Sequence, residues 1–243
     1  MANKLSLDDI LTKLKIFVDG ADIESSRKMI DIYNVKGFTT NPTLMRKAGI
    51  TDYEGFAREF VLYVNPLPVS LEVFADDSIE MERQAKTINS WGNNVYVKIP
   101  ITNTGGISTS GLIKELNSEG IKINTTAVFT REQIDGLENC FDTDVPAIVS
   151  VFSGRIADAG VDPISNTSYA VDKFKEKPNV EILWASTREI YNVVQAINAG
   201  AHIITIPYSL LPKLKDLGKN LTDFSRETVQ MFRDDALKSG YTL

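Results

Sequence analysis

Strand-like and helix-like segments alternate along the whole chain, and that alternation limits the fold more than any other feature of the sequence. Period-two or continuous aliphatic runs place strands at residues 15–20, 35–40, 69–74, 94–100, 121–129, 145–152, 180–186 and 202–207. Helical spacing is clearest at 78–90, 108–118, 188–198 and 212–217, after a short leading helix at 7–14, and a last amphipathic helix covers 221–238. No tract rich in Pro, Gly or Ser divides the 243 residues. Eight strands each followed by a helix imply a closed parallel (β/α)8 barrel, an architecture of about 250 residues. A doubly wound open sheet is the second expectation, because element count alone does not close a barrel. The expected domain is therefore 1–243, with 221–243 a helix docking on the barrel or on a neighbouring subunit through Phe224, Val229 and Phe232. On this basis a homo-oligomer is expected.

Composition narrows the partners. A net charge of -6 and a sequence pI near 5.0 lack the basic stripe that nucleic acid or an acidic membrane surface requires. The start of the chain mixes charge into its apolar residues, and no run is long enough to cross a bilayer. The single cysteine, Cys140, excludes an intramolecular disulfide and reads as a small buried hydrophobe. A soluble, cytoplasmic protein is expected.

In a barrel of this kind functional groups gather at the carboxyl ends of the strands. Within residues 94–100, NVYVKIP, Val95, Val97 and Ile99 alternate with Tyr96 and Lys98, so Lys98 stands near a strand end on the polar face. An isolated lysine there most simply snorkels to water. Alternatively, partial desolvation favours the neutral amine, which attacks a carbonyl to form a Schiff base. The corresponding polar residues of the other strands are Asp19, Thr39 with Asn41, Glu72, Asn124 with Thr126, Ser150 and Ser186. Parity places Phe17 below Asp19, Tyr96 below Lys98 and Trp184 below Ser186. Any one of these polar residues is an ordinary turn former or cap; seven strands of eight each offering one is not ordinary.

An amine, two carboxylates, a hydroxyl and an amide around a carbonyl-sized space suit iminium formation followed by proton transfer. Metal chemistry is not expected, since His202 lies at the opening end of its strand and the other candidates are hard oxygens without ligand spacing. Arg155 and Arg188 follow the sixth and seventh strands and could clamp a phosphate or sulfonate with Ser186; the competing reading pairs them with Asp158 or Glu189. Neither a GxGxxG fingerprint nor a Walker lysine is present, and no cofactor is expected.

Seven ordered stretches, FVDGAD at Asp19, GFTTNPT at Asn41, LEV at Glu72, VKIP at Lys98, INTTAVF, SVFSGRI and ASTR, together resemble the transaldolase family, and most closely its short members, which include fructose-6-phosphate aldolase. The resemblance implies a class I aldolase barrel in which Lys98 forms the Schiff base with a ketose. It implies that Asp19 acts on the hydroxyl proton during cleavage, and that Glu72 and Thr126 handle the water of imine formation and hydrolysis. Asn41, Asn124 and Ser150 would hold the hydroxyls of the three-carbon fragment, and Arg155, Ser186 and Arg188 the distal anion. Family aldolases carry Gln at position 72 and Tyr at position 152; Glu72 and Phe152 here match the transferases. A phenol can protonate the enamine and release dihydroxyacetone, which Phe152 cannot do. Gly20 and Thr187 depart from the family pattern of Thr or Ser and of an aromatic residue, so a sulfonated ketose stays open beside a sugar phosphate.

Overall fold

The computed structural model describes residues 7–242. Its first helix, α1 (Leu7–Lys13), leads directly into β1 (Lys15–Asp19). The remaining strands are β2 (Gly37–Thr39), β3 (Val69–Glu72), β4 (Val95–Pro100), β5 (Ile123–Val128), β6 (Ala147–Val151), β7 (Val180–Trp184) and β8 (Ile203–Pro207). They pair in chain order, all parallel, and β8 returns to β1 with Lys15 opposite Ile203, so the sheet is a closed (β/α)8 barrel rather than an open one. Around it run α2 (Ile23–Tyr33), α3 (Pro42–Lys47), α4 (Tyr53–Val64), α5 (Ser78–Asn89), α6 (Ser110–Ser118), α7 (Arg131–Asp135), α8 (Ser153–Asp158), α9 (Pro163–Lys173) and α10 (Tyr191–Asn198). The strands stop short of the expected spans, and the helix expected at 212–217 is a 3-10 helix, Leu211–Asp216, with a proline in its first turn.

Local chemistry explains where these helices begin. Asp22, Asp52 and Asp77 each accept a backbone N–H from the first turn of the following helix. Thr130 forms a reciprocal capping box with Gln133, and Pro163 occupies the first turn of α9 behind Asp162. Each cap contributes about 1 kcal/mol and fixes where the chain turns from the barrel rim.

Two apolar regions follow from strand parity. The outward residues, among them Val18, Val97, Val149 and Ile206, pack with the helices in one continuous core. The inward residues Phe17, Ile148, Leu183 and Ile203, with Tyr96 beside them, fill the barrel beneath the rim. Phe17 and Tyr96 thus lie inside, as expected. Trp184 does not: it is fully buried in the outer core, and the inward residues here are Glu181 and Leu183 of β7 and Ala185 just after it. The reason is that β7 ends at Trp184 and Ser186 turns into the left-handed region, at φ 65°, so period-two counting stops before residue 186.

The last helix, α11 (Leu221–Ser239), begins at an Asn220 cap and has no buried residue. Leu221, Phe224, Val229, Met231 and Phe232 fall on one side at helical spacing and stay exposed.

Candidate active site

Strand register assembles the mouth. Glu72 lies opposite Lys98, Lys98 opposite Asn124, and Asp19 opposite Thr39, so the inward polar groups of five neighbouring strands sit near one level. Lys98 is only 6% exposed. Its ammonium donates to the Thr40 carbonyl at 2.8 Å and lies 3.2 Å from Glu72 Oε2. It therefore does not snorkel to bulk water. Removing an amine from water is costly unless it is paired, and here one carboxylate and one carbonyl compensate it.

Asp19 occupies the other side. Its Oδ1 accepts the Thr39 hydroxyl at 2.7 Å, and Thr39 is itself 2.6 Å from the Thr205 hydroxyl of β8. Burial pushes the Asp19 carboxyl above its ordinary value; the Lys98 ammonium and the Thr39 hydrogen bond oppose that, while Glu72 adds to it. A carboxylate that is costly to keep ionised is a ready proton acceptor.

A third set fixes the barrel centre. Asn124 donates to Ser70 Oγ at 2.9 Å and accepts the Ser150 hydroxyl at 2.7 Å, all three residues being buried. Asn41 caps α3 by accepting Leu44 N–H at 3.0 Å, leaving its amide NH2 for another partner. Thr126 shares the parity of Asn124, faces inward at the end of β5, and is buried with no partner for its hydroxyl among the described residues. Next to it the strand bulges, and Ala127 adopts φ 56°, a strained left-handed conformation for a residue with a Cβ.

The loops after β6 and β7 meet at Gly154. Its N–H donates to the Ala185 carbonyl at 3.2 Å, and a Cβ built on it would overlap the Ser186 carbonyl oxygen. This approach sets Arg155 and Arg188 on adjoining turns. Arg155 lies 6.0 Å over the Phe152 ring, and Phe152 borders the inward apolar cluster. Arg188 donates twice to Asp158 Oδ2, at 2.6 and 3.0 Å, the surface partner expected beside the anion clamp. Ser186, on the turn after β7, is half-buried.

Sequence reasoning missed Ser70, Thr205 and Tyr208. Ser70 shares strand parity with Glu72, two residues before it, and Thr205 lies opposite the inward Phe17, so period-two counting carried back down β3 and applied to β8 would have found them. Tyr208, just past β8, lies where a side chain on Gly20 would go, and its hydroxyl is 2.6 Å from Ser26 Oγ and 3.0 Å from the Asp22 carbonyl. Burial, with Asp22 and Asp19 nearby, pushes its phenol up. Thr187 is buried and donates to the Thr205 carbonyl at 2.7 Å, which ties the seventh loop to β8.

His202 lies at the far end of the barrel and Cys140 is buried. Among the described residues, the one acidic group close enough to hold a metal is Glu82, Glu115 and Glu119, and Lys86 already bridges Glu82 and Glu119.

Fold and site together define a (β/α)8-barrel enzyme with a buried amine between carboxylates at its carboxyl-end mouth. The family model for transaldolase/fructose-6-phosphate aldolase matches residues 16–242. The chain is 36% identical over 204 residues to a "probable transaldolase" of Dehalococcoides mccartyi, covering 83% of this chain and 90% of that one. It is 37% identical over 204 residues to "probable transaldolase 2" of Listeria monocytogenes, covering 83% and 88%. A "probable transaldolase" of a Thermoanaerobacter species is 33% identical over 228 residues, covering 93% and 99%. This chain belongs to the transaldolase/fructose-6-phosphate aldolase family. A crystal structure of 2,3-dimethylmalate lyase is similar in fold alone, with a TM-score of 0.51 at 12% identity over 95% of this chain and 86% of that one.

Proposed function

We propose that this enzyme is a transaldolase that moves a dihydroxyacetone unit from a fructose 6-phosphate-type ketose to an aldose phosphate through a Schiff base on Lys98. One observation carries the reading: the Lys98 amine is withdrawn from bulk water and held between Glu72 and the Thr40 carbonyl at the mouth that Asp19 also lines. In its neutral form Lys98 adds to the ketose carbonyl. Glu72 and Thr126 relay the protons that let the carbinolamine lose water as an iminium. Asp19 then takes the proton of the substrate hydroxyl next to the breaking carbon–carbon bond. The bonding pair moves into the iminium, giving an enamine on Lys98 and a free aldehyde. Addition of an acceptor aldehyde reverses these steps, and water releases the new ketose and the amine. Asn41, Asn124, Ser150 and Thr39 orient the three-carbon fragment, and Arg155, Ser186 and Arg188 hold the distal anion.

Phe152 supports transfer over release, because a phenyl ring offers the enamine no proton. Trapping separates the readings. Fructose 6-phosphate with borohydride should leave a three-carbon or six-carbon adduct on Lys98, which Lys98→Ala removes; erythrose 4-phosphate should then be turned over without free dihydroxyacetone. Faster turnover of 6-deoxy-6-sulfofructose would move the donor to sulfosugars, and no adduct with either ketose would leave a barrel that binds sugars without catalysis. Phe152→Tyr should raise the released fraction. We further propose a homo-oligomer in which a second copy covers the exposed apolar side of α11, so Phe232→Glu should lower the sedimentation mass.

A further inference from the structure

The barrel has a second opening, at the amino ends of its strands, and the groups around it form a set of their own. A cavity of about 630 Å³ reaches inward there until it meets Phe17, Tyr96 and Ile148. Its rim carries Lys13 from the last turn of α1, Lys15 from the start of β1 and Lys36 from the residue before β2. Among the described residues lining it, Glu181 is the one carboxylate, and Lys15 already holds it at 2.8 Å. Three ammonium groups against one carboxylate is a local excess of positive charge on a chain whose net charge is -6. A space of that volume is about 10 Å across, comparable to the screening length at physiological salt, so these cations feel one another. Such a grouping adds nothing to stability by itself, and an anion entering it relieves the repulsion.

The uncharged groups are also donors. The backbone N–H of Ile182 donates to His202 Nδ1 at 2.9 Å, which leaves the proton of the neutral ring on Nε2. Burial keeps His202 below its ordinary value, so the ring is neutral at pH 7. Burial and the Glu181 charge raise the Tyr96 phenol to about 12, so it stays protonated. The Lys122 ammonium lies 5.8 Å over the Tyr96 ring, adding a fourth cation beside the floor. Below the charged rim, Phe17 and Tyr96 offer aromatic surface for an apolar or flat body.

We propose that this amino-end mouth is a second binding site, which takes a small organic phosphate monoester with its dianion among Lys13, Lys15 and Lys36 and its body against Phe17 and Tyr96. The site is independent of the reaction at the other mouth. It does, however, touch β1 and β4 two residues before Asp19 and Lys98 on the same inward faces.

Calorimetric titration of Arg155→Ala/Arg188→Ala protein tests this with the carboxyl-end anion clamp removed. The probes are phenyl phosphate, adenosine monophosphate, glucose 6-phosphate and inorganic phosphate. One saturable site is expected, with phenyl phosphate or the nucleotide bound more tightly than inorganic phosphate; tighter glucose 6-phosphate would mark a sugar rather than a flat ring as the body, within the same proposal. Adding Lys13→Glu/Lys36→Glu should weaken binding about tenfold or more, as reversing two rim charges requires. The milder Lys13→Ala/Lys36→Ala pair should weaken it less, with an unchanged melting temperature reporting an intact fold. In otherwise native protein, either pair should leave cleavage of fructose 6-phosphate unchanged. No saturable binding of any probe, binding indifferent to both pairs, or inorganic phosphate bound as tightly as the organic esters (an adventitious ion only) would overturn the proposal.

Discussion

Replacing Thr126 by valine should make the protein more stable and less active at once. The Thr126 hydroxyl is buried and has no partner among the described residues. A buried hydroxyl without a hydrogen bond costs about 1–3 kcal/mol, and valine keeps its shape and β-branch while removing that cost. A gain of about 1–2 kcal/mol is expected, which for a chain of this size raises the melting temperature by about 2–4 °C per kcal/mol. In urea the midpoint should rise with an unchanged slope. Activity should move the other way, because loss of a proton relay in imine formation costs about a hundredfold or more in kcat. Thr125 is the built-in control. Its hydroxyl is equally buried and unpartnered, but it lies opposite the outward residues Ile99 and Val149. Thr125→Val should therefore stabilise without loss of activity. A destabilised Thr126→Val would mean that the hydroxyl has a partner in the native protein, and full activity in that variant would remove Thr126 from the mechanism.

Three further perturbations test the rest of the site. The raised Asp19 value places the acid limb of kcat/KM above the ordinary carboxylate value of 3.8. A carboxyl raised in the folded state contributes stability below its unfolded value and loses it as pH climbs through the folded one, so Asp19→Asn should gain stability over wild type at pH 7 and lose that advantage below about pH 4. Arg188→Ala should raise KM for a charged ketose about tenfold with little change in kcat, whereas Asp158→Ala, which frees Arg188, should lower KM; an unchanged KM in both removes Arg188 from substrate binding. Gly20→Thr should cost about 1–3 kcal/mol by forcing the Tyr208 ring aside, and Tyr208→Ala should abolish that penalty in a double-mutant cycle read by urea denaturation.

How far the sequence could be read depended on the distance over which each signal acts. Lys98, Asp19 and Glu72 were legible because strand alternation is local and the barrel rule then converts strand ends into one mouth. The same counting failed at Trp184 because it ran past the end of β7, where left-handed Ser186 breaks the period. The Asp158–Arg188 pair was one of two pairings open to that arginine, and only the folded loops choose between Asp158 and Glu189; the placement of Tyr208 over Gly20 joins residues far apart in sequence, and only the unexpected glycine at position 20 hinted at it. The hydrogen-bonded run Asp19–Thr39–Thr205 was half legible, since closure of β8 on β1 was expected but the matching level of the two threonines was not.

The junction of Gly154 with the Ser186 carbonyl reaches beyond its own two residues. Wherever two rim turns nest this tightly, neither can lengthen, shorten or acquire a bulkier neighbour without dislodging its counterpart. The turns at 152–155 and 185–188 can therefore change only together, as one module of the rim.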